Sequence, residues 1–129
     1  EKASALKMCY AALTKGTTAL LTAVFGAANQ LGVLDELMAE WGRNGSNAAQ
    51  ENERKVREVT AKAWRFVGEM EEIAATFDAA GMPAGFHQAA AEIYRRLAEF
   101  KDAPTTPAID EVLTALQSPA ESAVHVVRS

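Results

Sequence analysis

The first thirty residues constrain the fold of this chain more than any other part. From Ala3 to Leu31 the only ionisable side chains besides a cysteine and a tyrosine are Lys7 and Lys15. At about 100° per residue, Leu6, Leu13, Leu20, Val24 and Leu31 fall on one stripe. Ala12, Gly16, Ala19, Ala23 and Ala27 make a second stripe beside it. Small side chains let another helix approach closely, so this helix is predicted to pack on two sides and occupy the middle of a bundle. The remaining side carries Lys7, Thr14 and Thr18, with Ala11, Leu21 and Phe25 among them.

The rest of the sequence repeats the helical signal between clear breaks. Gly32 is predicted to cap the first helix, and VLDELMAEW forms a short amphipathic helix before the turn GRNGS. Asn47 is a candidate N-cap, with Glu53 and Arg57 spaced as a surface pair. Val56, Val59, Ala63, Phe66, Met70, Ile73 and Phe77 recur at steps of three and four, one buried face over several turns. Gly68 lies inside this run and is expected to mark a kink or a close backbone contact. Gly81 caps the run and Pro83 opens a further helix, whose buried residues are predicted as Phe86, Ala90, Ile93, Leu97 and Phe100. AIDEVLTALQS forms a last helix, and AVHVV is the only pattern in the tail after Pro119.

With 129 residues, 49% apolar, 23% charged and only 7% aromatic, the chain is expected to be a single all-α domain. Its architecture is predicted as a helical bundle around the long N-terminal helix. A net charge of −4 and a pI near 5.2 supply no basic face for nucleic acid. No apolar run approaches the roughly 18 residues of a membrane span, and Thr17, Thr18 and Thr22 interrupt the segment that resembles a secretory signal. The single Cys9 cannot form an internal disulfide, which fits a reducing, cytoplasmic setting, and it is expected to be a small buried hydrophobe.

Motifs for chemistry are sparse. The glycines form no phosphate-binding loop. His87 and His125 are far apart and lack a second ligand at helical spacing, so no metal site is expected. Glu69 and Glu72 share a helix side that reads as a solvated face, with Glu71 elsewhere. Lys7 stands out, because its neighbours are small or hydroxyl-bearing. That is an unusual environment for bulk water and a reasonable wall for a polar ligand. An amine that a second body covers loses hydration, which favours the neutral form that proton transfer uses.

The stretch SALKMCYAALTKGTTAL, with GEMEEIAATFDAAGMPAGFHQAAAEIYRRL later, resembles the C-terminal helical domain of the β-hydroxyacid dehydrogenase superfamily. That superfamily includes the 6-phosphogluconate dehydrogenases, and the nearest resemblance is to the phosphogluconate-dehydrogenase-like C-terminal branch, over about residues 4–100. The resemblance implies an N-terminal Rossmann domain elsewhere in a parent protein, binding NAD or NADP, and a helical domain contributing substrate pocket and dimer contact. Lys7 then takes the position of the catalytic lysine. Tyr10 and Ala11 stand where the family usually has asparagines, and Tyr10 and Thr14 become candidate substrate contacts. A Lys-Asp motif of the family falls on Gly68 and Glu69, with Arg65 one turn earlier as a substitute cation, so Arg65 and Glu69 are candidate cofactor contacts. The implied protein is an NAD(P)-dependent oxidoreductase of small hydroxy acids or sugar acids, active as a homodimer. The alternative is a non-catalytic helical module for dimerisation or scaffolding that keeps the fold alone.

Overall fold

The computed structural model of the chain describes residues 1–118; the tail 119–129, with His125 and AVHVV, lies outside the described residues. Among the described residues the architecture is all-α, with a long N-terminal helix. The order is α1 (Lys2–Gln30), α2 (Leu34–Trp41), α3 (Ala48–Glu58), α4 (Ala63–Ala79), α5 (Gly85–Arg96) and α6 (Ile109–Leu116). Single 3₁₀ turns follow α2, α3 and α5.

Local chemistry accounts for the boundaries. After α1 the chain turns at Gly32, whose φ of 74° suits a residue without a Cβ, and the Val33 amide donates to the Ala28 carbonyl at 2.9 Å. Gly81 closes α4 in the same way, with φ 82° and the Met82 amide on the Phe77 carbonyl at 2.8 Å. Asn47 does stand at the N-cap of α3, but its side chain makes no capping bond; the Ser46 hydroxyl accepts from the Ala48 amide instead. The expected Glu53–Arg57 surface pair is absent, because Arg57 reaches across to donate to the Pro107 carbonyl at 2.8 Å.

The core lies where α4 and α5 pack on each other and on α1, with α6 and α3 closing one side. Phe25, Val56, Met70, Ile73, Tyr94, Leu97 and Val112 are fully buried there. The apolar face predicted from Val56 to Phe77 is present, although a 3₁₀ turn at Val59–Ala61 divides it between α3 and α4. Gly68 is neither a kink nor a close contact: α4 runs through it, and a Cβ there would meet open space.

Three burial expectations are overturned. The small residues of α1 face inward, with Ala11, Ala12, Ala19, Thr22, Phe25 and Ala28 buried, while Leu6, Leu13, Leu20 and Leu31 are 66–76% exposed. One close contact face suffices to hold α1, and no described helix covers the leucine stripe, so α1 packs on one side rather than two. Of the stripe predicted for α5 and its end, Ala90 and Leu97 are buried as expected, but Phe86 is exposed, and His87, Ala91 and Tyr94 are buried in addition. Cys9 is also exposed, on the uncovered side of α1.

By length and composition α1 is apolar enough to cross a membrane, contrary to the reading of the sequence in short runs. Its small-residue face is nevertheless occupied by other helices of the same domain.

Tyr94 ties α5 to α1 by donating its hydroxyl to the Lys15 carbonyl. Burial raises the pKa of this phenol, with the charge of Glu69 adding to it, so the folded state favours the neutral form. An unfolded tyrosine ionises near pH 10, so this contribution is complete below about pH 10 and declines as pH rises beyond it. Tyr94→Phe is expected to cost about 1 kcal/mol at neutral pH and to flatten the alkaline fall in unfolding free energy. Urea unfolding at several pH values measures both, and a wild-type-to-variant difference that stays constant into alkali would contradict the assignment.

Candidate functional site

The polar side of α1 and the adjoining side of α4 form one continuous surface. The helices run antiparallel, because Met8 meets Thr76 while Lys15, two turns later, meets Glu69 on the preceding turns of α4. This sets Lys7, next to Met8, toward the helix that carries Arg65 and Glu69, whereas Tyr10 falls on the far side of α1 from Met8, toward the leucine row. Lys7, Tyr10, Thr14 and Arg65 are all exposed, and Glu69 is half-buried.

The hydroxyls of α1 are engaged locally. Thr14 donates to the Tyr10 carbonyl at 3.2 Å, Thr18 to the Thr14 carbonyl at 3.2 Å and Thr22 to the Thr18 carbonyl at 2.8 Å. Each threonine thus satisfies its donor one turn back and keeps its oxygen as an acceptor. This lets a helix bear hydroxyls beside apolar packing without orphaned donors.

Glu69 has a partner that the sequence did not indicate. Lys15 places its ammonium 2.8 Å from both carboxylate oxygens and 4.6 Å from the centre of the Phe66 ring. The pairing of Glu69 with Arg65, one of the two roles expected for that arginine, is therefore replaced by Lys15. Arg65 instead projects over the same Phe66 ring at 5.9 Å. Glu69 flanks the buried Phe66 and Met70, and that boundary position was the available clue that a cation from another helix would meet it.

A buried histidine lies behind this surface. The His87 Nε2 is 3.0 Å from the Ala12 carbonyl, which can only accept, so Nε2 carries the proton of this bond. Nδ1 is buried without a hydrogen-bond partner, and Phe77 packs edge-on at 4.8 Å. Gly16 makes this possible, since a Cβ there would stand 3.0 Å from Nε2. Among the described residues no three His, Cys, Asp or Glu side chains gather as metal ligands.

A model of one protein family, described as a domain of unknown function (DUF1932), matches residues 28–97, and the chain belongs to that family. The match contains Arg65 and Glu69 and begins after Lys7, Tyr10 and Thr14. No curated protein and no solved structure matches the chain.

The Lys15–Glu69 pair is about one-third exposed on each side, so solvent weakens it. A double-mutant cycle with Lys15→Ala and Glu69→Ala is expected to give a coupling of roughly 0.5–1 kcal/mol at low salt, smaller at high salt. A coupling of zero at low salt would mean that the pair does not anchor α1.

Proposed function

We propose that this domain is the helical half of an NAD(P)-dependent oxidoreductase of the 6-phosphogluconate-dehydrogenase-like kind, acting on a small hydroxy acid or sugar acid in the cytoplasm. The observation that carries the reading is the open position of Lys7. It stands with Tyr10 and Thr14 on a surface of α1 that no described helix covers, next to the helix bearing Arg65 and Glu69. A second domain laid over that surface would enclose a substrate between the two.

The described residues include no strand leading into a glycine-rich loop, so the nucleotide would be held mainly by an N-terminal Rossmann domain of the parent protein. The exposed Arg65 guanidinium suits contact with a cofactor phosphate, and Glu69, fixed by Lys15, keeps α4 in register beside it. A bound nicotinamide would supply the hydride acceptor. On the protein's side, Lys7 in its neutral form takes the proton of the substrate hydroxyl as the C–H bond yields its electron pair as hydride and the carbonyl forms. In the reverse direction the Lys7 ammonium returns that proton. The Thr14 oxygen, its donor already used, accepts from a substrate hydroxyl, and the Tyr10 phenol donates to a substrate oxygen. The expected partners are the Rossmann domain, the substrate and a second copy of the chain.

One observation favours the other reading, a non-catalytic dimerisation module. The positions of the family's asparagines hold Tyr10, which is 73% exposed, and Ala11, which is buried in the core. The two readings separate in the parent protein. Lys7→Ala or Lys7→Met should lower turnover by about 10²- to 10⁴-fold and leave nucleotide affinity near the wild-type value. Turnover that survives the substitution would remove the catalytic role of Lys7.

A further inference from the structure

Between them, α1 and α5 form an apolar groove of about 650 Å³ that no described residue fills. Its floor is shallow-sided where Gly16 and Ala19 stand, and its walls include Leu13 and Leu20 of α1 and Phe86 and Ile93 of α5. Leu13, Leu20 and Phe86 are 66–73% exposed. Bulky apolar side chains gathered around one hollow forgo the transfer free energy that burial gives, so the hollow favours an apolar cover.

The groove opens where the described chain stops. On α1 its last residue is Ala23 and on α5 it is Ile93. One turn further along these helices stand Gly26 and Arg96, and both meet Leu116 at the end of α6. A Cβ on Gly26 would lie 3.5 Å from the Leu116 side chain, and Arg96 Nη1 donates to the Leu116 carbonyl at 3.0 Å. Two residues later comes Pro119, which cannot donate to a helix and turns Ser118 away from helical backbone. The sequence beyond is AESAVHVVRS. Between Glu121 and Arg128 the run SAVHVV carries no carboxylate, ammonium or guanidinium, and its three valines favour extended backbone.

We propose that the C-terminal segment of this chain folds back into the groove, with residues 122–127 laid extended between α1 and α5. The lengths agree. Residues 118–122 reach about 13 Å when extended, which carries the chain from the end of α6 to the mouth at Ala23 and Ile93. Residues 122–127 then cover about 17 Å, and α1 rises by about the same amount from Ala12 to Ala23. Side chains alternate on an extended segment, so Val124 and Val126 face the floor together, where Gly16 and Ala19 leave room for branched groups. Glu121 and Arg128 fall beyond the two ends of the groove and stay in water. So short a tether holds the segment at an effective concentration of about 1 mM, which favours it over a free apolar partner at micromolar concentration.

The inference goes beyond the functional reading and rests on the groove and the tail, not on Lys7. Thr17 lines the groove and is exposed among the described residues, so a thiol there reports on the cover. In a Cys9→Ser background, the Thr17→Cys chain should react with a maleimide about tenfold more slowly, or slower still, than the same chain also carrying Val124→Glu and Val126→Glu. Gln50→Cys, on an exposed position of α3, should react equally fast with either tail. Because the cover belongs to the same chain, the protection at position 17 should be the same from about 1 to about 100 µM protein. Helical circular dichroism should not change with the two glutamates.

Equal rates at position 17 with either tail would overturn the proposal. Protection that fades on dilution would assign the cover to a second copy and overturn it as well. Neither outcome bears on turnover of Lys7 variants in the parent protein, so the two readings fail separately.

Discussion

The structure depends on how closely α1 approaches α4 and α5. That distance is set by side chains that are nearly absent: Ala12, Gly16 and Ala19 bring the α1 backbone within reach of polar groups on its neighbours. The His87 ring lies against Gly16 and donates to the Ala12 carbonyl, and the Tyr94 hydroxyl reaches the Lys15 carbonyl. Both bonds go to backbone acceptors already inside a helix, which are accessible to an outside donor only where the covering side chains are small. Lys15 adds a third tie through Glu69, with Phe66 beneath its ammonium. Three polar contacts within about one turn, at Ala12 and Lys15, thus fix the rotation of α1 about its own axis, and with it the direction in which every other residue of α1 points.

That rotation gives α1 three different faces. The alanine face is spent on the domain's interior. The face with Lys7 and Thr14 stays polar and open, and the leucine face, with Tyr10 at its edge, stays apolar and open beside α5. A helix so divided serves as a shared support: one side folds the domain, and two sides remain open. The reading of Lys7 as a proton acceptor uses only the open polar side.

Much of this was legible in the sequence, and the errors have a common cause. Helix positions followed from periodicity, and the caps at Gly32 and Gly81 from the need for positive φ after a helix. The direction of α1 did not follow, because hydrophobicity ranks leucine above alanine as a core residue, whereas close helix packing selects the reverse. The same preference put Phe86 inside α5 and left out His87, which is buried because Nε2 has the Ala12 carbonyl as its partner. At the candidate site, Lys7 and Thr14 stand out from local pattern and Tyr10 only through the resemblance, and all three are exposed on α1. The Lys15–Glu69 pair was not found, since it joins residues 54 apart in sequence and no local spacing connects them.

The central claim is that the small-residue face of α1, and not its leucine face, holds the domain together. Ala19, 2% exposed, is the position at which that claim is most directly tested. Urea unfolding of Ala19→Trp should show a loss of about 3 kcal/mol or more, because the indole must force α1 away from α5. Ala75→Trp, on an exposed turn of α4, should change stability by no more than about 0.5 kcal/mol. An Ala19→Trp protein as stable as the wild type would mean that α1 does not pack through its alanines.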